Sequence, residues 1–382
     1  MIIGFDGKRA IENNTGLGNY SRLLAEVLAD KYPENTYLLY APKLKQNARL
    51  LRLMEHRNVD IVTPDSFCGK RFGSVWRSKG IPNALIRDNV DLYHGLSGEL
   101  PFNIEKFSGP TVLTIHDVIF RRFPECYKAF DRKIYDHKFG KSALKATRVI
   151  AISEQTKRDV MEFYGVQEEK IDIVYQGCHA QFHRIPSQEE IAAIKKKYEL
   201  NKPYIISVGT VETRKNQALA IRGLRGLPQE FQLVIVGRRT DYAKTLDEYI
   251  ASNSLGSRVK FIEHAAFADL PALYAGAFCS SYTSRYEGFG IPVIESLSVA
   301  TPVVVATGSC LEEAAGPTIP AVAPDDVEEW INTLTEMINY PDYRAKIAKD
   351  GAEYVKRFND DNMAEATMAS YLKAINEFNH KK

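Results

Sequence analysis

Short apolar runs alternate with amphipathic stretches along the whole chain. That is the pattern of parallel α/β sheets, whose strands are buried on both faces and read as near-continuous hydrophobic segments. In the first half the runs at 2–5, 37–40, 59–62, 92–94, 111–115, 149–152 and 171–175 predict strands. Ser153 has the side chain of an N-cap for a helix over 154–164, and Gly165 suits its left-handed end. A second series of strands is predicted at 204–208, 233–236, 259–262, 278–282 and 303–305, and charged helices follow from Asp325 onward. Between the two series the polar stretch 180–187, with Pro186, reads as a linker.

Two successive parallel sheets in 382 residues imply two Rossmann-like domains, at 1–182 and 183–360, with a last helix over 361–382 packing back toward the first. Ligands of such sheets bind beyond the carboxyl ends of the strands, so a cleft between the two domains is expected. The informative residues do follow strand ends: His116-Asp117 in the first half, Gly209-Thr210 in the second.

Composition narrows the function classes. A formal net charge of +2 indicates no dedicated nucleic-acid binder. The charge is uneven, however, with 27 Lys+Arg against 22 Asp+Glu in residues 1–182. Residues 43–87 hold ten basic against three acidic residues, including Lys70, Arg71, Arg77 and Lys79 beside Phe72 and Trp76. A solvated face is the simpler reading; a surface resting on anionic lipid headgroups or an anionic acceptor is the sharper one. Cysteines 68, 126, 178, 279 and 310 show no paired spacing, and no leader or apolar run of about 20 residues is seen, so a cytoplasmic protein with reduced thiols is expected. Cys178, His179 and His183 lie in an irregular stretch rather than on a ligand face, and no metal site is expected.

The stretch "SRYEGFGIPVIESLSVATPVVV" at 284–305 carries the most chemistry. Gly288 and Gly290 permit a sharp bend around Phe289, and Pro292 suits the first turn of a helix. Val293, Leu297 and Ala300 recur at helical spacing before Thr301-Pro302 ends the run. The free amides of that helix start would attract a phosphate, while Glu287 on the loop and Glu295 in the helix would accept hydrogen bonds from hydroxyls. Phosphate between hydroxyls describes a nucleotide sugar. Past Gly209, "GTVETRKN" sets Arg214 and Lys215 near the next helix start, where a guanidinium fork and an ammonium can reach a diphosphate.

These two segments resemble the donor-binding half of the family 4 retaining glycosyltransferases, which have the GT-B fold of two Rossmann-like domains. Glu287 and Glu295 match that family's glutamate, seven residues, glutamate signature. "TGLGNY", "TIHDV", "ATRVIAISEQTKRDV", "KIDIVYQGC" and "DLPALYAGA" follow in the family's order over nearly the entire chain. The resemblance implies that Arg214 and Lys215 neutralise the nucleoside diphosphate and that Glu295 holds the ribose. Glu287 would hold hydroxyls of the transferred sugar, and the amides around Phe289-Gly290 would meet sugar and phosphate. His264 and Ala265 would border the base, His116 would sit near the anomeric carbon, and Gly16 and Gly18 would approach the phosphates or acceptor. It implies retention of configuration, no required metal or cofactor, and a glycan or lipid-linked glycan acceptor. The "GTVETRKN" form resembles members that use GDP-mannose in polysaccharide or O-antigen assembly, and the inner face of the membrane is then the expected place of work.

Other classes explain fewer residues. A nicotinamide-dependent oxidoreductase would rest on "GLGNYS", but Ser21 stands at the third glycine position and the turn lies about ten residues past the strand at 2–5. A nucleotide-sugar epimerase, a sugar phosphorylase, a UDP-hexose-dependent transferase or a silent binding subunit would keep the fold. Silence fits poorly with intact Arg214, Lys215, Glu287 and Glu295.

Overall fold

A computed structural model describes residues 1–45, 47–65 and 71–380. The chain divides into two compact units, Met1–Gln176 joined by the C-terminal segment from Asp360, and Gly177–Asn359. The division between Gln176 and Gly177 precedes the expected 182/183 boundary.

The first unit holds seven parallel strands: β1 Ile2–Asp6, β2 Thr36–Tyr40, β3 Val59–Val62, β4 Leu92–Gly95, β5 Thr111–Ile115, β6 Arg148–Ala151 and β7 Ile171–Ile173. Their order is β3-β2-β1-β4-β5-β6-β7. Alternation along the strands splits the core in two. Ile3, Phe5, Leu92, Val112 and Ile150 pack with the helices Gly16–Lys31 and Asp360–His380 on one face. Tyr93, Leu113, Ile115, Val149 and Ala151 serve the other. Ser153 caps the helix Glu154–Tyr164 by accepting from the Thr156 N–H, and Gly165 closes it at φ 63°, as the flanking residues predict.

The C-terminal helix is fixed along its length by charge. Lys31 pairs with Asp361 and Glu365 near its start. Asp172 then binds Ser370 at 2.8 Å and Lys373 at 2.8 Å, and Arg148 binds Glu377 near the end.

The second unit has six parallel strands: β8 Tyr204–Val208, β9 Gln232–Val236, β10 Val259–Ile262, β11 Cys279–Tyr282, β12 Val303–Ala306 and β13 Ala321–Val322. Their order is β10-β9-β8-β11-β12-β13. The last strand has two residues, too few for periodicity to mark it. Among the described residues no helix is long and apolar enough to cross a membrane.

Candidate active site

In the second unit the chain leaves β8 toward β9 on one side and leaves β11 toward β12 on the other. β8 and β11 are neighbours, so their following loops diverge and open the crevice where doubly wound sheets bind ligands. Gly209, at φ 147°, turns the chain out of β8, and Gly237, at φ 148°, does the same after β9. A Cβ on Gly237 would stand 2.1 Å from the Gly209 carbonyl oxygen, so the two exits meet backbone to backbone.

The turn Thr213–Lys215 then carries the two expected cations. Asn216 ends it in the left-handed region at φ 54° and donates its amide to the carbonyls of Thr283 at 3.1 Å and Pro324 at 2.7 Å. The Arg285 N–H donates to the Arg214 carbonyl at 2.8 Å, a second tie between the β8 and β11 loops. These ties set the cations against Glu287. Lys215 Nζ lies 2.6 Å from Glu287 Oε1, and Arg214 Nη1 lies 2.8 Å from Oε2. The Tyr282 hydroxyl bridges the pair, 2.7 Å from Lys215 Nζ and 3.2 Å from Glu287 Oε1. Arg214 also donates to the Tyr286 carbonyl and to Glu212, each at 2.6 Å.

Burial alone would raise the Glu287 carboxyl, but Lys215 and then Arg214 outweigh it and hold the pKa at about 2. Burial likewise pulls Lys215 down, and Glu287 more than compensates, keeping the ammonium well above the ordinary lysine range. The carboxylate stays charged and both cations stay charged.

Glu295 meets a different environment. It lies inside the helix Ile291–Ser298, whose start is shaped by Gly290 at φ 149° and by Pro292 in the first turn. The carboxyl is buried, with the Tyr274 hydroxyl as hydrogen-bond donor at 3.2 Å. Burial pushes its pKa up to about 8, against a smaller opposing effect of Tyr274. Near neutrality the group carries a proton. Cys310 braces the loop between the two glutamates by donating its thiol to the carbonyls of Phe289 at 2.6 Å and Glu287 at 3.1 Å.

Gly209, Arg214, Lys215, Glu287, Gly288, Phe289, Gly290 and Glu295 thus gather on the β8 and β11 loops and the helix after them. His264 and Ala265 stand in the turn after β10, with His264 exposed. His116, Gly16 and Gly18 belong to the first unit. A Cβ on Gly18 would fall 1.9 Å from the Asn13 carbonyl oxygen, so close packing within that unit explains this glycine; Gly16 faces open space. His116 follows β5, with Nε2 at 3.0 Å from the Leu96 carbonyl. A carbonyl only accepts, so Nε2 carries the proton. Burial holds the pKa near 4, and the neutral ring keeps Nδ1 as a lone-pair acceptor.

Sequence reading missed Tyr282, Tyr274, Asn216 and Cys310. Asn216 alone left a signal, an asparagine between a turn and a helix. The basic stretch also needs correction. Arg77 is no surface cation: its Nε sits 3.1 Å from Asp6 and its Nη1 3.0 Å from Glu99, with the side chain 14% exposed. Trp76 packs partly against the core. Arg71, Phe72, Val75 and Lys79 are exposed, and Lys70 lies outside the described residues.

The chain is similar to known proteins along most of its length. Residues 187–354 match the family model described as glycosyl transferases group 1, and residues 15–182 match glycosyltransferase family 4. The O-antigen chain mannosyltransferase RfbU of Salmonella typhimurium is 29% identical over 254 residues, 66% of this chain and 67% of that protein. The O-antigen chain mannosyltransferase B of Escherichia coli is 27% identical over 301 residues, 75% of each chain. Among solved structures, Anabaena HepE in complex with UDP and glucose superposes with a TM-score of 0.74 at 20% identity, covering 98% of this chain and 99% of that one. Sucrose-phosphate synthase from Thermosynechococcus elongatus gives a TM-score of 0.75 at 19% identity, covering 98% of both.

The two-sheet fold is the GT-B fold, shared with HepE and sucrose-phosphate synthase, and both halves of the chain match glycosyltransferase family models. The chain belongs to the family 4 glycosyltransferases, with a family 4 domain in its first half and a group 1 domain in its second.

Proposed function

We propose that the protein is a retaining hexosyltransferase that moves mannose from GDP-mannose to a hydroxyl of a glycan or lipid-linked glycan. The observation that carries this reading is the pair Arg214 and Lys215, held together at the β8/β11 crevice by Glu287, with Glu212 as a second partner of Arg214. Glu212 and Glu287 balance the two cations in the ligand-free protein, and a diphosphate takes over as their partner when Glu287 turns to the sugar. The O-antigen mannosyltransferases among the relatives favour mannose.

In the reaction the bond between the anomeric carbon and the β-phosphate oxygen breaks, and negative charge grows on the departing nucleoside diphosphate. Cations already fixed in place stabilise that charge with little reorganisation. The acceptor oxygen bonds to the anomeric carbon on the face the phosphate leaves, and its proton passes to that phosphate. Glu287 turns from Lys215 toward hydroxyls of the transferred sugar, and Glu295 binds the ribose. His116 accepts a hydrogen bond from sugar or acceptor at Nδ1. No residue is assigned as a covalent nucleophile, and no metal is needed, because the two cations supply the charge. The exposed set Arg71, Phe72, Val75 and Lys79 rests on the inner face of an anionic membrane that presents the acceptor.

A thermal-shift panel of GDP-, UDP- and ADP-sugars tests the donor. GDP-mannose at 100 times its dissociation constant is expected to add about 2.7 kcal/mol of stability. Stabilisation by a UDP-hexose alone would move the assignment to that donor, and a silent panel would overturn the reading. Loss of transfer in EDTA would contradict the metal-free mechanism.

A further inference from the structure

A polar chain runs through the core of the first unit, and the chemistry above does not use it. Val112, Thr114 and His116 occupy alternate positions along and just past β5, and Leu92 and His94 do so on β4. Their shared face carries the helices Gly16–Lys31 and Asp360–His380. The Tyr371 hydroxyl, from the C-terminal helix, lies 2.7 Å from His94 Nδ1. His94 Nε2 lies 2.8 Å from Thr114 Oγ1, and Thr114 Oγ1 lies 3.1 Å from the Tyr20 hydroxyl. All four side chains are buried. The last ring, Tyr20, stands at 90° to the His116 imidazole with centroids 4.4 Å apart.

The chemistry of the links makes them interdependent. Burial holds His94 near a pKa of 3, so its ring is neutral, with one N–H and one lone pair. If Tyr371 donates to Nδ1, then Nε2–H donates to Thr114, whose hydroxyl donates to Tyr20. If Tyr20 donates first, the whole sequence reverses. The three bonds share one sense. Apolar residues of similar volume would fill the space without desolvating four polar groups, so packing alone does not call for this set. Tyr20 is held at its backbone and at its hydroxyl, which fixes the long axis of its ring, and the in-plane preference of the phenolic O–H ties the ring's rotation to the Thr114 bond. That ring forms a wall beside His116.

We propose that the hydrogen-bonded chain Tyr371–His94–Thr114–Tyr20 sets the orientation of the His116 imidazole, which makes the helix Asp360–His380 a positioning element of the active site. The proposal rests on the placement of His116 at the reacting centre. The Leu96 carbonyl holds Nε2 at 3.0 Å, and the perpendicular Tyr20 ring packs against the same imidazole.

The test compares Tyr371→Phe, Tyr20→Phe and the control Lys373→Ala, which loosens the same helix at its 2.8 Å contact with Asp172. Two quantities are read: steady-state transfer, and the His116 ring resonances of the ligand-free, isotope-labelled protein. Tyr371→Phe is expected to lower kcat by about three- to tenfold with the donor KM within about twofold. It should also shift the His116 resonances, although three links separate the two residues. Tyr20→Phe should do the same, and Lys373→Ala should leave both readouts at wild type. A Tyr371→Phe protein that moves only the His94 resonances overturns the proposal, as does a Lys373→Ala protein that matches Tyr371→Phe. Should Tyr371→Phe fail to fold, an unchanged His116 resonance in Tyr20→Phe overturns it alone. If wild type transfers no sugar, the proposed function falls, and the resonances still decide the positioning role.

Discussion

Glu287 and Glu295 lie eight residues apart, both buried in the same unit, and they titrate in opposite directions. Glu287 is held at about 2 because two cations converge on it; Glu295 is pushed to about 8 because burial meets only a phenol. Burial alone does not decide the charge of a carboxyl; the partner does. One glutamate is therefore a permanent anion that compensates Arg214 and Lys215. The other is a neutral acid near pH 7, able to donate as well as accept toward a diol.

The largest effect is expected from removing Lys215. Lys215→Ala leaves Glu287 with half its compensation in a buried site, a loss of about 3 kcal/mol in stability and of at least about a hundredfold in kcat/KM. Denaturant unfolding and initial rates measure the two. Wild-type values in both would remove Lys215 from the diphosphate site. Glu287→Gln comes next, with turnover lowered by at least about tenfold, because the sugar hydroxyls lose their anionic acceptor.

The pH dependence of stability separates the two carboxyls. The folded pKa of Glu287 lies below its ordinary 4.5, so its contribution is present above 4.5 and is lost as pH falls toward 2. Glu295 lies above its ordinary 4.5, so the folded state holds the extra proton, and stability declines as pH rises from 4.5 to about 8. Glu295→Gln should flatten the decline over that upper window in a thermal-shift series and leave the acid limb alone. A decline that persists in Glu295→Gln would contradict the raised pKa. The smallest effect concerns the exposed basic and aromatic residues. Changing Arg71 and Lys79 to Gln removes about 1 kcal/mol each of attraction to an anionic leaflet, read as reduced flotation with vesicles at low salt. Equal flotation of both proteins would leave a solvated face.

Much of this was legible in the chain. The strands of both sheets except β13 stand near where apolar runs predict them. Ser153, Gly165 and Pro292 punctuate their helices as their chemistry requires. Arg214 and Lys215 could be flagged because a glycine turn after a buried run leads to a helix start. Their pairing with Glu287 could not, since it joins residues 72 and 73 positions apart through the β8/β11 neighbourhood that sheet topology creates. Tyr282 reads as one more strand residue, and only the fold shows its hydroxyl between Lys215 and Glu287. Arg77 illustrates the reverse error. A cation in a basic run looks solvated until Asp6, at the end of β1, and Glu99, after β4, close on it.

Calorimetric binding of GDP to wild type, Arg214→Ala, Lys215→Ala and Glu287→Gln bears most directly on the charge-compensated diphosphate site. Either alanine variant should bind at least about tenfold more weakly, about 1.4 kcal/mol. Glu287→Gln should bind as tightly as wild type or tighter, because it removes an anion that competes for the same cations. Four equal dissociation constants, or a loss confined to Glu287→Gln, would place the diphosphate elsewhere.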